Sequence, residues 1–264
     1  MNKNAPTHCT AFSANLWHLA AVFLILYAMA FLIYGNSLRV PFYFDDLTKI
    51  AENPHIRMTR LNLSEIKAIP KGQPMGRSLP FFTFALNYYF HRDRVEGYHL
   101  INIFIHTGCG FLVFLLAGQT LRLCGRKSLL IPLLASLLWL THPLHTQSVT
   151  YIVQRINSLA ALFYLMTLWL YIQFRLSGQD AGLSQRPTSR YLLGGACLIC
   201  GISALLSKQN SATLPVMLLL YEWYFFQHRD YSWFRKNRSW LWGLVPMLLL
   251  IVFIYLGGHP LEKI

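Results

Sequence analysis

Charged residues punctuate this chain unevenly, and the uncharged stretches between them set its architecture. Windows free of Asp, Glu, Lys and Arg run from Asn4 to Leu38, Gly97 to Leu121, Ser128 to Gln154, Ile156 to Phe174, Tyr191 to Ser207 and Ser239 to Leu261, with a shorter one from Gln209 to Tyr221. A helix that crosses a hydrocarbon core of about 30 Å needs about 20 mostly apolar residues. The pattern therefore predicts spans at 16–34, 98–120, 128–141, 157–174, 191–206, 211–226 and 240–257. The third is short, and the sixth reaches full length with Glu222 at an interface. The expected fold is all-α: a polytopic membrane helical bundle of about seven transmembrane helices, one domain over residues 1–264.

Residues 35–97 break this rhythm as a long first loop. A structureless connection of that length is uncommon, so elements of its own are expected. Leu61, Leu63, Ile66 and Ile69 form a short amphipathic pattern around Ser64 and Glu65, suited to a helix on a membrane surface. The aromatic run from Leu79 to Phe90 is too short to span and predicts an interfacial or re-entrant helix, entered through Gly76 and Arg77.

Composition agrees with the pattern. Only 12% of residues are charged and 55% are hydrophobic, against roughly 25% charged in a soluble domain, which argues against a soluble enzyme. The net charge of +13 would suggest a nucleic-acid partner in a soluble protein. Here its placement reads as topology, and no nucleic acid is expected. With the N-terminus inside, the short inner loops hold ten cations: Arg122, Arg126, Lys127, Arg175, Arg186, Arg190, Arg229, Arg235, Lys236 and Arg238. The short outer segments hold three, Arg155, Lys208 and Lys263. This bias favours a cytoplasmic N-terminus and a first loop on the extracytoplasmic side, in the inner membrane if the source is bacterial. Ala28-Met29-Ala30 resembles a signal-peptidase site, but the apolar run continues to Tyr34, which favours an uncleaved anchor. Cys9, Cys109, Cys124, Cys197 and Cys200 form no disulfide framework.

Candidate chemistry gathers on the outer side. Asp45 and Asp46 follow the first span at headgroup height, in Phe42-Tyr43-Phe44-Asp45-Asp46. A carboxylate partly buried beside aromatics gains basicity and can take a proton from a hydroxyl. Equally, either aspartate can cap the helix expected at Leu47–Ala51. His99, Asn102, His106 and Gly110 share one helical face in the second span. Such a stripe faces a cavity or bonds a neighbouring helix. His99 and His106 lack a third ligand, so no metal site is predicted. The segment His142 to Arg155 is unusually polar, with Gln147, Tyr151, Gln154 and Ser158 at helical spacing beside Arg155. Lys208 holds the corresponding place in Ser207-Lys208-Gln209-Asn210. Two cations at the membrane surface suit a lipid phosphate, or simply snorkel to headgroups.

Phe44-Asp45-Asp46, Glu52-Asn53-Pro54, Gly76-Arg77-Ser78-Leu79, Phe84 to Tyr88, Gly97 to Asn102, His142 to Arg155 and Ser207 to Pro215 occur in an order that resembles GT-C membrane glycosyltransferases. The resemblance is to the transmembrane and tetratricopeptide-repeat type, related to protein O-mannosyltransferases. It implies transfer of a sugar, such as a mannose-like hexose, from a polyprenyl-phosphate donor to a protein or glycan hydroxyl outside the cytoplasm. It implies a catalytic base at Asp45 or Asp46. Arg155, Lys208, His142, Arg77, Gln147, His99 and Asn102 would then be candidates for binding donor phosphate or substrate. No cofactor is predicted, and divalent-metal dependence stays open. Members often carry Glu where Gln147 and Gln209 stand, and they continue into further spans and helical repeats. Against that pattern the chain reads as lacking the C-terminal part, and the alternative to an enzyme is a non-catalytic membrane protein that binds lipid-linked sugar or a partner.

Overall fold

The computed structural model describes residues 15–70, 77–179 and 187–238. Among these the chain is helical throughout, a membrane helical protein. The first predicted span is α1 (Leu16–Tyr34), started by the Asn15 side chain, which accepts from the Trp17 N–H. The second is α4 (Val95–Leu123), which packs against α1, α5 (Leu130–Leu140) and α7 (Arg155–Gln179). Small residues permit this. A Cβ added to Gly110 would meet Leu140 at 3.0 Å, and one added to Gly108 would meet Leu162 at 3.0 Å. Beyond α7 lies α8 (Pro187–Leu205).

The expected count of seven spans is not reached among the described residues. Three helical stretches, 16–39, 95–123 and 152–178, are long and apolar enough to cross a membrane, and Leu130–Leu140 and Ser189–Leu205 are shorter apolar helices. At 1.5 Å per residue the 11 residues of α5 rise roughly 16 Å, about half a hydrocarbon core. The predicted sixth span runs as a 3₁₀ segment (Gln209–Thr213), α9 (Leu214–Tyr221) and a π-helical turn (Glu222–Phe226). The change to π-helical winding falls at Glu222, which is buried and bound to Arg175 through two hydrogen bonds of 2.8 and 2.7 Å. The predicted seventh span, 240–257, and Cys9 lie outside the described residues.

The described parts of the loop, 35–70 and 77–97, fold into a cap on one end of the bundle. Its two longer helices are α2 (Leu63–Ala68) and α3 (Ser78–His91). The Asn62 side chain caps α2, and the Glu65 carboxylate accepts from the backbone N–H groups of Thr59 and Arg60 at 2.7 and 3.2 Å. Of the predicted amphipathic stripe, Leu61 and Leu63 stay exposed, whereas Ile66 packs against the core of the cap and Ile69 is buried in it. The run expected to be interfacial, α3, does something more. Phe81, Phe84 and Ala85 are buried with Ile50, Ile56, Ile69, Tyr98, Ile152, Val153 and Ile156. The aromatic run is thus the core of the cap, which explains how so apolar a loop is stable. The short segments Pro143–His145 and α6 (Thr146–Thr150) complete this end.

Candidate active site

The site begins where α1 gives way to the cap. Phe44 adopts φ 48°, a left-handed backbone that sends the two following aspartates apart. Asp46 is fully enclosed, and one of its carboxylate oxygens accepts from the Val153 N–H at 2.7 Å. Its other oxygen is buried without a hydrogen-bond partner. Asp45 keeps 56% of its side chain exposed and forms an ion pair with Lys49. The Asp45 N–H donates to the Tyr151 hydroxyl at 2.9 Å, and the Tyr151 ring stacks on Tyr43 at 4.7 Å. The Asp46 side chain does not cap the turn at Leu47–Ala51.

Burial pushes the Asp46 carboxyl up to about 6, against the opposing pull of backbone N–H groups. The folded protein therefore holds this proton more tightly than the unfolded chain, whose aspartate titrates near 3.8. Stability is expected to fall as pH rises from about 4 to about 6 and then to level off. Asp46→Asn keeps the acceptor for Val153 and should remove that segment of the dependence. Melting temperature against pH for both proteins checks this, and identical slopes would refute it.

Arg155 heads α7 but points inward. Its residue is fully buried. Nε donates to the Asn102 side-chain oxygen at 2.7 Å, one Nη to that of Asn87 at 2.5 Å, and the other Nη to the Tyr98 carbonyl at 2.9 Å. The guanidinium also lies over the Phe84 ring at 4.6 Å. It joins α3, α4 and α7 at one point. Asn102 in turn donates to the carbonyls of Val149 and Ile152, each at 3.3 Å. His99 Nε2 bonds the Val40 carbonyl at 3.0 Å, and His106 Nε2 that of Leu140 at 2.9 Å. The polar stripe of the second span therefore braces α4 against its neighbours. Arg155, expected at the membrane surface, lies inside the fold, and His99 and Asn102, expected to face a cavity or bond a neighbouring helix, bond neighbouring segments.

The remaining expected residues do sit at the cap end. His142 is exposed, with Nδ1 accepting from the Leu144 N–H at 3.3 Å, and Gln147 is exposed on α6. Lys208 donates to the Asn157 side-chain oxygen, and the Asn157 amide donates to Gln154. Arg77 is half-buried at the start of α3, where the Leu79 N–H reaches the Leu206 carbonyl at 3.3 Å and ties α3 to the end of α8. The Nε of Arg77 is buried with no hydrogen-bond partner. Burial, and then the Arg77 charge, lower the Lys208 pKa. Among the described residues no ion pair joins either cation to a carboxylate. Nor does any group of three His, Cys, Asp or Glu side chains among them lie close enough to hold a metal ion.

Sequence reasoning missed Asn87, Tyr98 and Asn157. Asn87 carried a signal, since it interrupts the aromatic run of α3. A buried amide in such a helix needs a partner, and Arg155 supplies it.

Against curated proteins, the chain is 27% identical over 225 residues to the protein O-mannosyl-transferase Tmtc3 of Drosophila melanogaster, an alignment covering 76% of this chain and 24% of that protein. It is 30% identical over 247 residues to the protein O-mannosyl-transferase F38B6.6 of Caenorhabditis elegans, covering 90% and 32%. The chain is homologous to the TMTC protein O-mannosyl-transferases. With human TMTC4 the identity is 34% over 151 residues, covering 52% of this chain and 19% of that protein. The chain thus spans about a fifth to a third of the length of these TMTC relatives. No protein-family model and no solved structure matches it.

Proposed function

We propose that the chain carries the donor and base groups of a membrane glycosyltransferase that moves a hexose from a polyprenyl phosphate to an acceptor hydroxyl, on the extracytoplasmic face. The observation that carries this reading is the junction of Arg77 and Lys208: two half-buried cations on segments tied together by the Leu79–Leu206 hydrogen bond, one with an unpartnered donor and neither paired with a carboxylate among the described residues. An anionic group between them would use the vacant donor and relieve their mutual repulsion. Arg155, spent on protein acceptors, gives up the phosphate role to Arg77. Asp45 is the accessible member of the aspartate pair and takes the acceptor proton as the hydroxyl attacks the anomeric carbon. The anomeric carbon–oxygen bond to phosphate breaks, its electron pair leaves on the phosphate oxygen, and the two cations compensate the negative charge that develops there. Asp46 acts through position, tying the turn that carries Asp45 to the head of α7. His142 and Gln147 are exposed polar groups available to substrate. The homology to proteins named O-mannosyl-transferases supports a mannose-like sugar and a protein acceptor.

Lys208→Met and Arg77→Met should each raise the donor KM roughly tenfold or more, as loss of a charge-assisted hydrogen bond implies, with Lys208→Arg restoring part of it. Initial rates in proteoliposomes over a range of polyprenyl-phosphate hexose concentrations check this. An unchanged KM in both Met variants would sink the assignment.

A further inference from the structure

Phe44 is costly twice over, and the turn between Asp45 and Asp46 accounts for its backbone but not for its ring. Its ring is 80% exposed, and its backbone is left-handed at φ 48°, a conformation that disfavours a non-glycine residue. The conformation is held from both sides. The Asp46 N–H donates to the Tyr43 carbonyl at 3.0 Å, and the Leu47 N–H to that of Phe44 at 3.1 Å. Strain of this kind persists where the surroundings over-determine it and clusters at ligand-binding sites. The ring begins an aromatic row. Phe44 meets Tyr43 edge-on at 5.7 Å, and Tyr43 stacks on Tyr151, whose hydroxyl accepts from the Asp45 N–H. Tyr43 is also one wall of a cleft of about 450 Å³ lined by Tyr34, Asn36, Ser37, Thr146 and Thr150, with Ile33 and Val40. Hydroxyl and amide groups line it, and no charged residue does among those described.

We propose that Phe44 and this neutral cleft form a pyranose-binding surface, with Phe44 as the platform beneath a hexose ring. The C–H face of a pyranose carries partial positive charge and fits the negative face of an aromatic ring. Its hydroxyls can donate to the lone pairs of Tyr34, Ser37 and Thr150, whose own protons go to backbone carbonyls, and can bond the Asn36 amide, whereas a phosphate would find no cation there. The inference rests on the glycosyl-transfer reading and adds to it a residue that presents the sugar next to Asp45. An aromatic that merely anchors the cap in lipid needs apolar area but no π face, and this difference sets the test.

Methyl α-D-mannopyranoside is titrated into the purified chain in nanodiscs, with binding read by saturation-transfer NMR. Phe44→Leu keeps the apolar bulk and is expected to bind about three- to tenfold more weakly, while Phe44→Tyr binds as the parent does. Phe44→Gly, which relaxes the left-handed backbone, should also lose affinity with thermal stability equal or higher. Absence of binding by the parent protein, or equal affinity in the Leu and Gly variants, overturns the proposal; equal affinity would assign the ring to lipid anchoring. Mannoside binding that depends on Phe44 in a protein with no transferase activity would leave this site standing and remove the catalytic reading.

Discussion

Asp45→Asn is expected to lower sugar transfer by about 10²- to 10⁴-fold, the range that a positioned general base supplies. The change removes a proton acceptor while preserving shape and hydrogen bonding to within one proton. Asp45 is half exposed, so the folded state should tolerate the substitution. Its ion pair with Lys49 is exposed as well, and a pair of that kind is worth little to stability. Asp46→Asn is the control. Asp46 is sealed against Val153, cannot meet an acceptor hydroxyl without rearrangement, and should lower transfer far less. Single-turnover transfer from a polyprenyl-phosphate hexose to a Ser/Thr peptide, with donor affinity measured in parallel, separates the two. Transfer unchanged in Asp45→Asn but abolished in Asp46→Asn would exchange their roles. Unchanged transfer in both would remove the aspartates from the chemistry. A protein that binds lipid-linked sugar without catalysis would respond to Lys208→Met and stay indifferent to both.

Arg155→Met should cost about 3–5 kcal/mol, the scale on which removal of one partner from a buried charged network destabilises a fold. The side chain of Met fills much of the space, so the loss is not chiefly a cavity. Three acceptors lose their donor at once: the side-chain oxygens of Asn102 and Asn87 and the Tyr98 carbonyl. All are buried, and water cannot replace the guanidinium. The Phe84 ring also loses the cation above it. Lys in place of Arg should recover a minor part, since an ammonium cannot reproduce a planar fork that reaches three separate acceptors. Thermal unfolding in detergent gives the readout. A variant with unchanged melting temperature and lost donor affinity would return Arg155 to the ligand and deny it the bracing role.

That Asp45 and Asp46 differ was foreseeable, because neighbouring residues point in different directions. Which of them is buried was not. It depends on a left-handed residue at Phe44, a position where sequence preference favours glycine or asparagine, and on the backbone of Val153, more than a hundred residues away in the chain. Arg155 misled for a related reason. Snorkelling and ligand binding are the readings open to a cation at the mouth of a predicted span. The interior acceptors that claim it come from α3 and α4, and no periodicity in 142–155 announces them.

By itself the sequence determined the all-helical membrane architecture, the long apolar helices at the first, second and fourth predicted spans, the presence of helices within 35–97 and the homology to TMTC proteins. These follow from hydrophobic windows and ordered motifs, which act locally and survive any arrangement of neighbours. Tertiary structure alone decided that the aromatic run of α3 is the core of the cap, that Arg155, His99 and Asn102 bond neighbouring segments, and that the segments carrying Arg77 and Lys208 meet. A polar side chain in a membrane helix must satisfy its hydrogen bonds either with a ligand or with a neighbouring segment, and only the packing of helices distant in sequence chooses between them.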